Sequence, residues 1–160
     1  MQQSLAGRQN LFGALHQPRG VTAWVLDTNV VLDLLVFGDP HCRQLGRVLA
    51  GKPGRWHATR RMREEFDAVL ARPGFDRWAS RREGAQQSWE QWACMVDTAP
   101  PCGSTLRCRD PDDQMFVDLA YHIGNCQLLS RDREVLRLQG AAAKLGIHIS
   151  SPADTLWSSA

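Results

Sequence analysis

Short apolar runs that stop at an acid and give way to a helix start recur along this chain, and few folds accommodate that pattern. WVLDTN (24–29) and LLSRD (128–132) carry Asp27 and Asp132 at such junctions, and RDPDDQMF (109–116) places Asp113 at a third. Between the junctions lie helical periods: VVLDLLVF up to Gly38, HCRQLGRVLA from Pro40 to Gly51, and RRMREEFDAVLA ended by Arg72-Pro73-Gly74. RWHAT (55–59), CQLLS (126–130) and GIHIS (146–150) read as further strands, as does VTAWVL (21–26). Strand alternating with helix predicts a three-layer α/β/α fold on a central parallel sheet. In such sheets the strand-to-helix junctions gather at the carboxyl edge, where ligands bind.

One domain over residues 21–156 accounts for most of the 160 residues, preceded by a breaker-rich arm at 1–20 with Gly7, Gly13, Pro18 and Gly20. A polar, Trp-bearing helix is expected from Asp76 to about Met95, interrupted near Gly84. No apolar run approaches the roughly 20 residues that span a bilayer, and the N-terminus lacks an apolar signal core. Five cysteines at irregular spacing write neither a disulfide framework nor a zinc site, which fits a reduced cytoplasm. The net charge of +2 argues against wholesale binding of nucleic acid by charge alone.

Each acid has a structural and a chemical reading. Asp27 and Asp132 suit the N-cap of the next helix. Asp110, Pro111 and Asp113 suit the N-cap, first turn and N3 position of a capping box. At 100° per residue, Met62, Phe66, Val69 and Leu70 form one apolar stripe, with Glu64 opposite it and Glu65 on its flank. By the same measure Met115, Phe116, Leu119, Ala120 and Ile123 face the core, Asp113 lies at the margin, and Asp118 points to solvent. Asp27, Glu65, Asp113 and Asp132 together make an all-oxygen set that repels itself unless it takes up protons or a hard cation such as Mg²⁺ or Mn²⁺. Thr28, Asn29, Asp110, Asp112 and Ser130 supply hydroxyl, amide and outer carboxyl groups to orient it.

A phosphatase-type DxDxT motif is absent, since Asp27-Thr28-Asn29 is followed by Val30. A phosphorylated receiver lacks its lysine, because Lys52 and Lys144 are the only lysines. A module whose acids only cap helices remains open. Arg60, Arg61 and Arg63, with Arg72, Arg77, Arg81 and Arg82 beyond them, offer either a phosphate track or ordinary solvated faces. Trp78, Trp89 and Trp92 offer base stacking or packing; His41, His57, His122 and His148 show no ligand spacing.

The opening WVLDTN, the acid in EEFDAVLARP, and the later RDPDDQMFVDLAYHIGN and LLSRDREVL resemble the PIN domain family, over residues 22 to 154. The chain is similar in particular to the bacterial branch of toxin components of toxin–antitoxin pairs. The resemblance implies Asp27, Glu65, Asp113 and Asp132 converging on one or two Mg²⁺ or Mn²⁺ ions and hydrolysing single-stranded RNA. A small antitoxin protein and a homodimer are the partners it implies.

Overall fold

β-Rich apolar tetrapeptides build the middle of the sheet. The computed structural model describes residue 21, residues 23–103 and residues 105–155. The arm proposed at 1–20 lies outside the described residues, as do the last five. β1 (Ala23–Leu26) and β4 (Cys126–Leu129) are buried at every position, so both of their faces are covered by helices. β2 (Trp56–Thr59), β3 (Ala93–Val96) and β5 (His148–Ser150) complete an all-parallel sheet in the order β3-β2-β1-β4-β5. The expected three-layer α/β/α architecture is thus the observed one.

The strand order reverses direction between β1 and β4: the chain first builds outward through β2 to β3, then crosses back. Such a switch point leaves a crevice at the carboxyl ends. Its register is fixed by Leu26 opposite Leu129, after which the Asp27 amide donates to the Leu129 carbonyl at 3.0 Å. Asp27 and Ser130 therefore leave the sheet side by side.

β1 feeds α1 (Thr28–Leu32), which widens into a π turn over Asp33–Phe37 and stops at Gly38. Gly38 holds φ at 68°, a left-handed conformation that suits glycine. A 3₁₀ turn (Pro40–Cys42) leads into α2 (Arg43–Gly51). β2 feeds α3 (Arg60–Leu70), whose start is capped by the Thr59 hydroxyl accepting from the Met62 amide at 3.4 Å. Met62, Phe66, Val69 and Leu70 are buried, Glu64 is exposed and Glu65 half-buried, as helical phase predicts. α5 (Gln114–Ile123) packs on β1 and β4 with Phe116, Val117, Leu119 and Ala120 buried; α6 (Arg133–Leu136) and α7 (Gln139–Ala143) precede β5.

Three sequence expectations need correction. The helix expected from Asp76 to Met95 is a 3₁₀ turn (Pro73–Trp78) followed by α4 (Ala79–Trp92), unbroken at Gly84, and residues 93–96 are strand β3. β3 pairs with β2 alone and is half-exposed, so ACMV carries neither the apolar run of a central strand nor a breaker before it. The helix expected from Asp110 begins at Gln114 instead. Asp110 folds back to accept from the Asp112 amide at 2.9 Å, closing a turn rather than capping a helix. Asp118, expected in solvent, accepts from the Cys102 amide and from the Gln114 side chain, both at 2.9 Å. That contact ties the 102–108 loop to α5.

Trp89 anchors α4 to the sheet. Its ring lies 4.5 Å from Trp56, edge-on, and 5.0 Å from Phe66, stacked, and it is almost fully buried. Among the described residues all five cysteines are free thiols, and no helix is long and apolar enough to cross a membrane.

Candidate active site

Asp27 is the most constrained acid. It sits one residue past β1 with its backbone extended, and one carboxylate oxygen caps α1 by accepting from the Val30 amide at 3.1 Å. The other oxygen accepts from the Ser130 hydroxyl. Only 2% of the residue is exposed, and burial drives its pKa above the ordinary carboxylate value against the pull of these hydrogen bonds. Asp132 caps α6 in the same manner, accepting from the Glu134 amide at 2.7 Å, while its own amide donates to Ser130 Oγ at 3.0 Å. The fully buried Ser130 hydroxyl thus ties the β1 acid to the β4 acid.

Glu65 reaches in from the flank of α3. Burial raises its pKa first, and the charges of Asp27 and Asp112 add to the rise, while a hydrogen bond from Thr28 and the Arg61 charge oppose it. Its Oε2 is buried with no hydrogen-bond partner. A carboxylate oxygen stripped of water and unpaired is costly unless something positive meets it. Asp113 stands at the start of α5 with no side-chain cap bond. Its carboxyl is pushed up to about 7, by burial first and then by the charges of Asp132, Asp27, Asp110 and Glu65. One titrating group feeling all three other acids is the electrostatic signature of convergence.

A cavity of about 310 Å³ opens at this edge, with Asp27, Thr28, Asn29, Glu65 and Asp113 among its lining residues. Asp27, Glu65 and Asp113 line it; Asp132 is outside the lining, linked to Asp27 through Ser130 and acting on Asp113 through charge. Asp110 and Asp112 stand at the outer side: Asp110 acts on Asp113 and Asp112 on Glu65 through charge. Arg61 is exposed and close enough to influence Glu65; Arg60 is exposed at the start of α3. Arg63 is turned away, held by Asp67 at 2.9 Å and Glu90 at 3.4 Å and lying 5.7 Å over Trp89.

The sequence profile of the PIN domain matches residues 23–134, an interval that holds all four acids and the strands that carry them. The chain belongs to the PIN domain family. No curated protein matches it. PIN domains are typically metal-dependent nucleases, so the chain is assigned to nucleases in the general sense, and the family generally uses divalent metal ions.

Whether this PIN domain's residues suit such an ion is a matter of donor chemistry. The set is all oxygen, as hard divalent cations require. One oxygen of Glu65 is buried and orphaned, and the Asp113 carboxyl is pushed up to about 7 by burial and then by the neighbouring acids. Among the described residues no three His, Cys, Asp or Glu side chains stand close enough to grip an ion between them. The fit is therefore one of chemistry and placement.

The tertiary structure also brings in residues that sequence reasoning passed over. Phe37 and Phe75 line the same cavity, alongside Arg72, which the sequence had offered for a phosphate track. Arg131, between Ser130 and Asp132, pairs with Asp33 at 2.5 Å and Asp39 at 3.3 Å, which pins the β4 loop to the π turn after α1. Only the position of Phe37 beside the Gly38 break hinted at a surface role.

Ser130→Ala removes a buried hydroxyl with a partner on each side. The loss is expected to destabilise the protein by about 1–3 kcal/mol, since Asp27 keeps a buried oxygen without its donor. Urea denaturation checks this, and a midpoint within error of wild type would show that the Ser130 bridge carries no stability.

Proposed function

We propose that this PIN domain hydrolyses single-stranded RNA with Mg²⁺ or Mn²⁺ at the cleft of Asp27, Glu65, Asp113 and Asp132. The observation that carries the reading is Asp113: a carboxyl with no structural cap to serve, lining one cavity with Asp27 and Glu65 and raised by burial and the charges of its neighbouring acids. Acids present only to cap helices have no reason to share one cavity.

Asp27, Asp113 and Asp132 would hold the ion, with Glu65 Oε2 as the further oxygen. The ion supplies a Lewis acid for the phosphoryl oxygens and an acidified water near neutral pH. The protein orients the reactants. Ser130 and the Val30 amide fix both oxygens of Asp27, so the carboxylate does not swing as substrate enters. Thr28 holds Glu65 through a side-chain hydrogen bond. Asn29, exposed at the cavity wall, donates to substrate oxygens. Products carry 5′-phosphate and 3′-hydroxyl ends, because no protein nucleophile and no 2′-hydroxyl attack is required.

The toxin role follows from the resemblance to toxin components. A small antitoxin would cover the same cleft with an Arg or Lys among the carboxylates, meeting the charge that the ion otherwise meets. Co-expression with a neighbouring small protein checks this, and its failure to co-purify would count against the toxin role alone.

The nuclease reading is tested by cleavage of an end-labelled single-stranded RNA. Cutting is expected with Mn²⁺ or Mg²⁺ and none with EDTA. Saturating Mn²⁺ is also expected to raise the melting temperature, by the equivalent of about 2.7 kcal/mol at a hundredfold excess over its Kd. A chain that neither cuts nor gains stability from Mn²⁺ is an interaction module whose acids cap helices.

A further inference from the structure

Part of the cleft lining has no role in the hydrolysis proposed above, and it is aromatic. Phe37 closes the π turn after α1 and is 37% exposed, beside a cavity it shares with Asp27, Glu65 and Asp113. Phe75 lines the same cavity and lies nearly parallel beneath it, with ring centroids 5.9 Å apart and planes at 26°. Trp78 meets the edge of Phe37 at 5.3 Å.

The platform is held in place. Arg81 donates to the Val36 carbonyl at 2.7 Å while lying 5.2 Å over the Trp78 ring, joining α4 to the residue just before Phe37. Phe37 is followed by the left-handed turn at Gly38, which stops the π turn with the ring at the cavity rim. An aromatic surface is therefore kept in the same cleft as three carboxylates, with Leu32, Val69, Phe116 and Arg72 also in the lining.

A nucleotide has the matching halves: a phosphate and a flat apolar base. We propose that Phe37, backed by Phe75, is a base-stacking platform that receives one unpaired nucleobase of a single strand whose neighbouring phosphate lies at the carboxylates. This rests on the nuclease reading and adds to it the reason for single-strandedness. A base inside a duplex has both faces covered by its neighbours, so only an unstacked base can lie on Phe37. Because every base has a π face, the platform tolerates all four bases. Arg72 is placed to meet a phosphate along the strand through its guanidinium fork.

The test is the binding of a fluorescein-labelled ten-nucleotide single-stranded RNA to the full chain, followed by anisotropy in Ca²⁺, with a gel confirming that the RNA stays intact. Phe37→Ala and Phe37→Leu are expected to weaken binding about 5- to 100-fold, and Phe37→Trp to restore it. An abasic site walked along the RNA should reproduce that loss at one position, and there Phe37→Ala should weaken binding no further. The same sequence as a duplex should bind at least tenfold more weakly and ignore the substitution. Equal RNA binding by wild type and Phe37→Ala overturns the platform, as does an equal extra loss at every abasic position, which marks an indirect structural effect. Wild type that binds no single strand overturns it as well, and so does a substitution that spares RNA but releases a co-purifying protein. Cleavage assays on the same samples separate the two readings. Metal-dependent cutting with Phe37→Ala binding unchanged overturns the platform alone; platform behaviour without cutting overturns the nuclease reading alone.

Discussion

Replacing Asp113 with asparagine is expected to slow RNA cleavage by about 10³-fold or more while making the metal-free protein more stable above neutral pH. The rate loss follows from weakening the carboxylate set that would hold the cation, whose positive charge offsets the charge developing on the phosphate, an effect worth several kcal/mol. The stability gain follows from the sign of the pKa shift. The Asp113 carboxyl is pushed up to about 7 in the folded chain, above its value in the unfolded chain, so the folded state binds the extra proton. Folding stability from this group is therefore unchanged below about pH 4, falls as pH rises from about 4 to about 7, and stays low above that. Asparagine cannot ionise and escapes the fall.

The gain at pH 8 is expected to be about 1–2 kcal/mol, discounted because Asp113 opens to a water-filled cavity where charge is screened. Melting curves of both proteins in EDTA from pH 4 to 8 should diverge only as pH rises. Adding Mn²⁺ should reverse the order, stabilising wild type more than the variant. Equal melting temperatures at every pH would remove the case for four acids sharing one field, and cleavage by the variant at wild-type rate would remove the case for Asp113 as a ligand.

Trp89→Ala is expected to cost about 3–5 kcal/mol of stability. The indole fills the space between Trp56 on β2 and Phe66 on α3 and is the principal apolar anchor of α4. α4 is otherwise polar, with only Ala85 and Trp89 buried along its length. Removing the ring leaves a cavity beside β2 and strips the Arg63 guanidinium of its aromatic face. A fall in melting temperature of about 10 °C is the expected reading for a chain of this size. Because α3 also carries Glu65, activity should fall at temperatures where the fold is still mostly intact. A variant that melts like wild type would show that α4 is held by its polar contacts, among them Arg82 to the Leu70 carbonyl at 2.6 Å, Arg81 to the Val36 carbonyl at 2.7 Å and Gln86 to Asp67 at 2.9 Å.

Much of the site was written in local pattern. An apolar run followed by Asp-Thr-Asn fixes Asp27 at a strand end because nothing else terminates a buried strand and opens a helix so directly. Helical phase separated Glu65 from Glu64, since the period of 3.6 alone decides which neighbour flanks the buried stripe. The same logic placed Asp132 at a helix cap. Where it failed, the deciding partner lay far away in sequence. Asp118 has a solvent-facing phase on α5, but the 102–108 loop folds over it and supplies the Cys102 amide. The start of α5 was misplaced because Asp110 and Pro111 suit a helix start and a tight turn equally; the Gln114 side chain, accepting from the Cys108 amide at 2.7 Å and donating to the Leu106 carbonyl, selects the turn. β3 exists because β2 offers it an edge, a contact that a half-exposed tetrapeptide cannot announce.

By itself the sequence determined the layered parallel architecture, the placement of Asp27 and Asp132 just past strand ends and the flank position of Glu65, because periodicity and capping are properties of neighbours in the chain; Asp113 follows a turn rather than a strand. The tertiary structure alone decided the strand order that puts β1 beside β4, the Ser130 bridge joining their acids, the raised pKa of Asp113 and the aromatic wall of Phe37 and Phe75. Those depend on burial and on distances between residues remote in sequence, and electrostatic energy follows distance and solvent exclusion rather than chain position.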